Sequence, residues 1–322
     1  MVDGERLAAA ASGLLAMTER RYTDALADAM TAQNGVRLAS ATEADAVRLF
    51  RLASYDRIFP ASRLGVLHRD TLTGLGIRPG AQKNVALYLS DRPLKDAEPF
   101  CARVRVPERV LLVSRPVGGY TDFVSLFEVT GCAQHAAFTS PETRPAFARA
   151  GDRAARAAWA LLFRNLLVDP DWIAEHTGAD DKYLAAAALH RCYLVRRDAG
   201  LAVYEEALLA GRTSLAAAPA AFEEAIDEAT RVANGRAGYL RAVGSFQSAD
   251  ALRAWALEVL LRDRLKTRFG RRWWASGAAG NMLKEIWSSG SEYSVDELAV
   301  ELELGTVSLD PLEADLLEGI AA

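Results

Sequence analysis

Two long alanine-rich tracts, Val2 to Val47 and Arg144 onward, carry apolar residues at three- and four-residue intervals and bracket a central block of different character. Residues spaced this way share one face of a helix, so the pattern predicts a mostly helical chain. Within the central block, Lys83 to Ser90 (KNVALYLS), Ala102 to Val106 (ARVRV) and Arg109 to Ser114 (RVLLVS) are short and rich in β-branched residues. They are bounded by Pro93, Pro107 and Pro116. Such runs predict small strands. The expected architecture is mainly α with a small β-sheet.

Local punctuation refines this. Asp152 after Gly151 is expected to cap a helix that places Ala154, Ala157, Ala158 and Leu161 on one face and stops before Asp169-Pro170. A second helix is expected from Ser248 to Gly270, with Leu252, Trp255, Ala256, Val259 and Leu260 facing a core. No fixed-period repeat divides the chain. It is read as a single helical domain over 1–322, with the sheet at 83–115 and a candidate lobe boundary at 211–219 (GRTSLAAAP).

Composition excludes several classes. With 51% hydrophobic and 25% charged residues, and 38 basic against 42 acidic side chains for a net charge of −4, the chain is neither disordered nor fibrous. Its longest apolar runs, such as Ala157 to Phe163, fall far short of the ~20 residues that span a bilayer. Asp3 and Glu5 stand where a secretory signal would carry positive charge, so the N-terminus is expected to begin a helix. Three cysteines form no disulfide framework, and a cytoplasmic location is expected.

The basic cluster Arg262, Arg264, Lys266, Arg268, Arg271 and Arg272, followed by Trp273 and Trp274, has the ingredients of a nucleic-acid patch. From Glu285 to Ala322, however, the chain carries ten acidic residues and no Lys or Arg, so intramolecular pairing is expected and no nucleic-acid partner. Gly74, Gly76 and Gly80 lack phosphate-loop spacing. His68, His176 and His190 have no partner at metal-ligand spacing, and His190 and Cys192, two apart, point to different helix faces.

The stretch from Asp91 to Phe138 runs through a strand pair, Gly118-Gly119, an acid at Asp122, and a helix over 121–138 that ends in a G-x-A-x-H pattern; a Gly-Asp helix start follows downstream. This order of parts resembles the catalytic region of the thimet oligopeptidase and oligoendopeptidase group of zinc metallopeptidases, the M3 family, and especially its shorter bacterial branch. Looser resemblance continues through FRNLLVDPDWIAEH and YLRAVGSFQSADALRAWALEVLLRDRL, covering most of the chain from about Ala53. It implies a gluzincin-type helical fold. The family's longer helical region before the catalytic part is expected to be much reduced in this chain.

In that family an H-E-x-G-H helix places two histidines on one face to bind Zn²⁺, with the glutamate acting on the metal-bound water. By the resemblance, Glu128 stands at the first histidine, Val129 at the catalytic glutamate, Cys132 at the second histidine and Ala157 at the third ligand, a glutamate. Shifting the frame by one residue places Gly131 on the second ligand and restores nothing. Valine accepts no proton, so family-type proteolysis is not expected.

Two functional readings remain. In the first, the chain is a non-proteolytic descendant, a pseudoenzyme with a degenerate zinc site, whose cleft binds a peptide or protein partner. Arg109, Val110, Leu111, Leu112 and Val113 would then form an edge strand that pairs with an extended peptide. His135 and Tyr239 are further binding candidates, Tyr239 through a family tyrosine. In the second, altered chemistry uses Glu128, Cys132 and His135, which share one helical face. Glu128 and Cys132 would be ligands of a rebuilt zinc site, or Cys132 a nucleophile beside His135. Two helical turns, ~10.5 Å, separate Glu128 from His135, too far for one zinc. No cofactor is expected, and zinc only if the site was rebuilt. The plain packing reading makes Cys132 a small buried hydrophobe, Glu128 a local ion-pair partner and Tyr239 a packing residue.

Overall fold

The computed structural model describes residues 3–90, 92, 98–242 and 247–321. Residues 91 and 93–97 of the strand-pair stretch, and 243–246 of the downstream segment, lie outside the described residues. In chain order the helices are α1 (Gly4–Ala29), α2 (Glu43–Phe50), α3 (Ala61–Gly74), α4 (Tyr120–Phe138), α5 (Pro145–Arg149), α6 (Arg153–Arg164) and α7 (Pro170–His176). Then follow α8 (Asp181–Leu209), α9 (Ala218–Thr230), α10 (Tyr239–Ala242), α11 (Ser248–Phe269), α12 (Gly277–Ser288), α13 (Val295–Glu301) and α14 (Asp310–Ala321). The strands are β1 (Val85–Leu89), β2 (Phe100–Arg105) and β3 (Arg109–Ser114). Among the described residues no helix is long and apolar enough to cross a membrane.

The chain forms two compact units, each discontinuous in sequence: 1–52, 181–256 and 308–322 in the first, 53–180 and 257–307 in the second. The segment 211–219 lies inside the first unit, between α8 and α9.

In the first unit, α8 packs against α1, α9 and α14. Its centre holds a buried cation. Arg196 donates to the carbonyls of Ala229 and Leu15, to Thr18 Oγ1 and to Glu19, and lies over the Tyr22 ring. This full set of partners is what lets a guanidinium sit in a core. Tyr239 packs against the Tyr204, Phe222 and Ile226 cluster.

The second unit contains the sheet. Its strand order is β1-β3-β2, with β3 parallel to β1 and antiparallel to β2. The expected edge strand Arg109–Ser114 is therefore the central strand, with hydrogen-bonded neighbours on both sides. Its Val110 and Leu112 are fully buried against Ala133, Ala136 and Ala137 of α4. The interior of this unit is aromatic, with Trp159, Trp172, Trp273, Trp274, Phe123 and Phe127 all fully buried.

The basic cluster is paired within this unit, but mostly not where expected. Lys266 meets Asp169, Arg271 meets Asp171 and Arg272 meets Glu175. Only Arg264, through Glu303, pairs with the acidic C-terminal segment among the described contacts. Charge order along a sequence fixes sign and not neighbourhood; here α7 and its N-cap residue supply three of the partners, and Arg262 pairs with Glu258 on its own helix, α11.

Helices α4 and α6 approach each other closely enough to touch backbone to backbone. A Cβ on Gly131 would stand 2.0 Å from the Trp159 carbonyl oxygen and 2.8 Å from the Ala160 Cα. No rotamer change relieves a clash with backbone. Alanine is the better helix former by about 1 kcal/mol, so an unconstrained glycine here would gain from replacement. Gly131→Ala is instead expected to lower the melting temperature by several degrees, because overpacking against a helix backbone outweighs the propensity gain. Calorimetry or thermal circular dichroism reads the sign directly.

Candidate functional site

Four features position α4 and α6, the two helices that carry the residues singled out by the resemblance. Gly118 and Gly119, at φ of +91° and +96°, turn the chain from β3 into α4. The buried Asp122 carboxylate accepts the N–H groups of Val117 (2.6 Å) and Gly118 (2.7 Å) and closes that turn. An anion in the first turn is also favoured by the helix dipole. At the far end, Asn84 Nδ2 donates to the carbonyls of Pro107 and Ala137, both at 2.8 Å, tying the β2–β3 hairpin to the end of α4. Asp152, as expected, caps α6 by accepting from Ala154 N–H (2.8 Å), and it also accepts from Val295 N–H (3.0 Å).

Helix α6 runs antiparallel to α4: Gly131 abuts Trp159 and Ala160, while Glu128, earlier on α4, meets Arg164, later on α6. The Glu128 carboxylate is held by Arg164 Nη1 at 2.5 Å. Val129 packs on the core formed by Val110, Leu112 and Ala133. Cys132 and Ala157 are both half-buried. Burial, and then the Glu128 charge, push the Cys132 thiol up to about 11. It is protonated at neutral pH, whereas the nucleophile and the metal ligand are the thiolate.

His135 is buried beside the Trp159 ring, and its Nε2–H donates to the Gly290 carbonyl at 2.8 Å. A carbonyl only accepts, so this contact fixes the proton on Nε2. Among the described residues no hydrogen bond joins His135 to Cys132.

The sequence reading passed over three contributors. Cys101 and Arg103 on β2 stand opposite Leu112 and Val110 of β3, hence on the helix-facing side of the sheet. Burial, and then the neighbouring Cys132, push the Cys101 thiol up to about 12. On α6, Arg156 is half-buried, and its Nη1 donates to the carbonyls of Arg149 (3.0 Å) and Ala150 (3.2 Å). The alternation of β2 was the signal for the first two: residues 101 and 103 share a face. Tyr239 belongs to the first unit and the others to the second.

No family profile and no curated protein sequence matches the chain. Solved structures do. PZ peptidase A bound to an inhibitor superposes with a TM-score of 0.67 at 11% identity, over 99% of this chain and 58% of that one. The M32 carboxypeptidase of Deinococcus radiodurans gives 0.59 at 15%, over 100% and 68%. Metallocarboxypeptidase 1 of Trypanosoma cruzi gives 0.58 at 14%, over 82% and 61%. The chain thus spans roughly three fifths of the length of these neighbours. The fold is a gluzincin-type metallopeptidase fold, mainly helical with a small sheet.

At the positions that the resemblance assigns to zinc, the Glu128 carboxylate is paired with Arg164, the Cys132 thiol is pushed up by burial and Ala157 offers no donor, while Val129, at the position of the base, accepts no proton. Among the described residues no group of three or more His, Cys, Asp or Glu side chains is placed to hold a metal ion.

Burial lowers both His135 and His68 to about 4, against an ordinary 6.5. Between pH 6.5 and 4 the unfolded chain takes up protons that the folded protein refuses, so their stabilising contribution is full above pH 6.5 and falls with pH across that window. Thermal melts at stepped pH should show this loss. His135→Gln, which keeps a donor for Gly290, should show a shallower decline.

Proposed function

We propose that this protein is a non-proteolytic member of the metallopeptidase fold, derived from M3-like oligoendopeptidases, that binds an extended peptide or an unfolded protein segment. The carrying observation is the ion pair between Glu128 and Arg164, which supplies a permanent positive charge beside the first ligand position and occupies the one carboxylate there. With Val129 in the core and no acceptor at the base position, water attack on an amide has no proton acceptor.

Peptide binding finds its support at β2. Among the described residues this outer strand pairs only with β3, leaving one row of backbone groups open. An extended segment adds to such an edge through main-chain hydrogen bonds. Arg109 to Val113 take part only by holding β2 in place.

Metal analysis by mass spectrometry on protein purified without a metal-affinity tag should find no stoichiometric zinc in the parent or in Cys132→Ala, and fluorogenic peptides should remain uncleaved. Near-stoichiometric zinc that disappears in Cys132→Ala would overturn the non-proteolytic reading. Hydrogen exchange with a random hexapeptide mixture should slow the amides of residues 101–105 of β2; unchanged exchange would remove the binding reading.

A further inference from the structure

Arg103 and Arg156 reach the same place from different elements. The register of β2 sets Arg103 on the helix-facing side, two residues after Cys101. The antiparallel crossing of α4 and α6 at Gly131 and Trp159 sets Arg156, about one turn before that crossing on α6, alongside Cys132 and His135. Both guanidinium charges act on Cys132 and on His135, and Arg103 acts on Arg156.

Among the described residues no ion pair joins either arginine to a carboxylate, and the Asp152 charge acts on Arg156 only at longer range. Glu128 is committed to Arg164, and Asp152 holds the N–H groups of Ala154 and Val295. Arg156 is anchored through Nη1 alone, to two carbonyls, which leaves other N–H groups of its fork for a ligand. Arg103 is exposed and Arg156 half-buried; two like charges brought near each other disfavour each other, and an anion between them relieves that repulsion. A carboxylate fits best, because its two oxygens match the planar guanidinium fork.

We propose that Arg103 and Arg156 form a carboxylate-binding site beside β2, which receives the C-terminal carboxylate or an acidic side chain of the bound peptide. This deepens the peptide-binding reading and rests on it. The pair puts fixed cations next to the position where a peptidase of this fold would keep its metal, so the ligand's negative group, and not its amide carbonyl, becomes the anchored feature.

The test follows the Nε–H resonances of Arg103 and Arg156 in ¹⁵N-labelled full-length protein. The probes are N-acetyl-tetraalanine with a free C-terminal acid, the same peptide as its amide, an amide carrying glutamate at the third position, and sodium phosphate. At millimolar concentration the free acid or the glutamate peptide should shift both signals saturably, and the plain amide should not. A response to the free acid alone assigns the site to a chain terminus; a response to the glutamate peptide assigns it to a side chain. Arg103→Gln, on an exposed strand position, and Arg156→Gln should each weaken binding about tenfold or more, while Arg78→Gln on the exposed turn after α3 should not. Response to phosphate alone, an equal response to the plain amide, or unchanged affinity in Arg103→Gln overturns the proposal. Failure of the underlying reading is distinct: β2 amides stay unprotected by hexapeptides although the arginines still respond to carboxylate.

Discussion

The second unit depends on the backbone contact between α4 and α6 at Gly131. Two helices normally stand apart by the length of the side chains between them. Here one helix presents no side chain and the other a carbonyl, so the axes close in and the surrounding residues take fixed partners: Arg164 for Glu128, Trp159 for His135, Arg156 beside Cys132. The closeness that a peptidase needs to bring ligands from two helices onto one ion serves here to bring arginines against a thiol and a carboxylate. The scaffold's geometry and its chemistry are separable, which is why a fold does not name a function.

Electrostatics around this crossing has a consistent sign. Where the resemblance places a metal and neutral imidazoles, the chain has guanidinium groups, one of them neutralised by Glu128. Burial keeps Cys101 and Cys132 as thiols and His135 as a neutral imidazole that donates from Nε2. None of the three adds negative charge to offset Arg103 and Arg156. On the proposed reading, these two cations are what an anionic group of the ligand meets.

Much of the second unit was legible from local pattern. The three strands, the helix at 121–138 and the Asp152 cap all rest on short-range rules, and each lies within a few residues of its expected bounds. Strand order was not legible. The apolar run Val110-Leu111-Leu112-Val113 reads alike in an edge or a central strand, and the parallel pairing with β1 depends on β2 lying one place beyond, so that β3 returns between the two. The acidic partners of Arg271 and Arg272 lie about a hundred residues upstream, beyond any local rule. Glu128, Val129, Cys132 and Ala157 were singled out through motif order, whereas Arg103 and Arg156 belong to no motif and come to notice only when register and helix crossing are known.

The division of the chain also bears on how it is made. The first unit takes its parts from both ends and the middle of the sequence, so α1 leaves the ribosome long before α8, the helix that buries its apolar face, has been synthesised. About 150 residues separate them, and at translation rates of about 5–20 residues per second the wait is on the order of ten seconds. The second unit's first segment, complete with sheet and helix crossing, emerges in that interval. The nascent protein therefore carries a finished apolar helix face with no mate for a time that is long compared with helix formation, a standing invitation to holdase chaperones and to neighbouring chains on the same polysome.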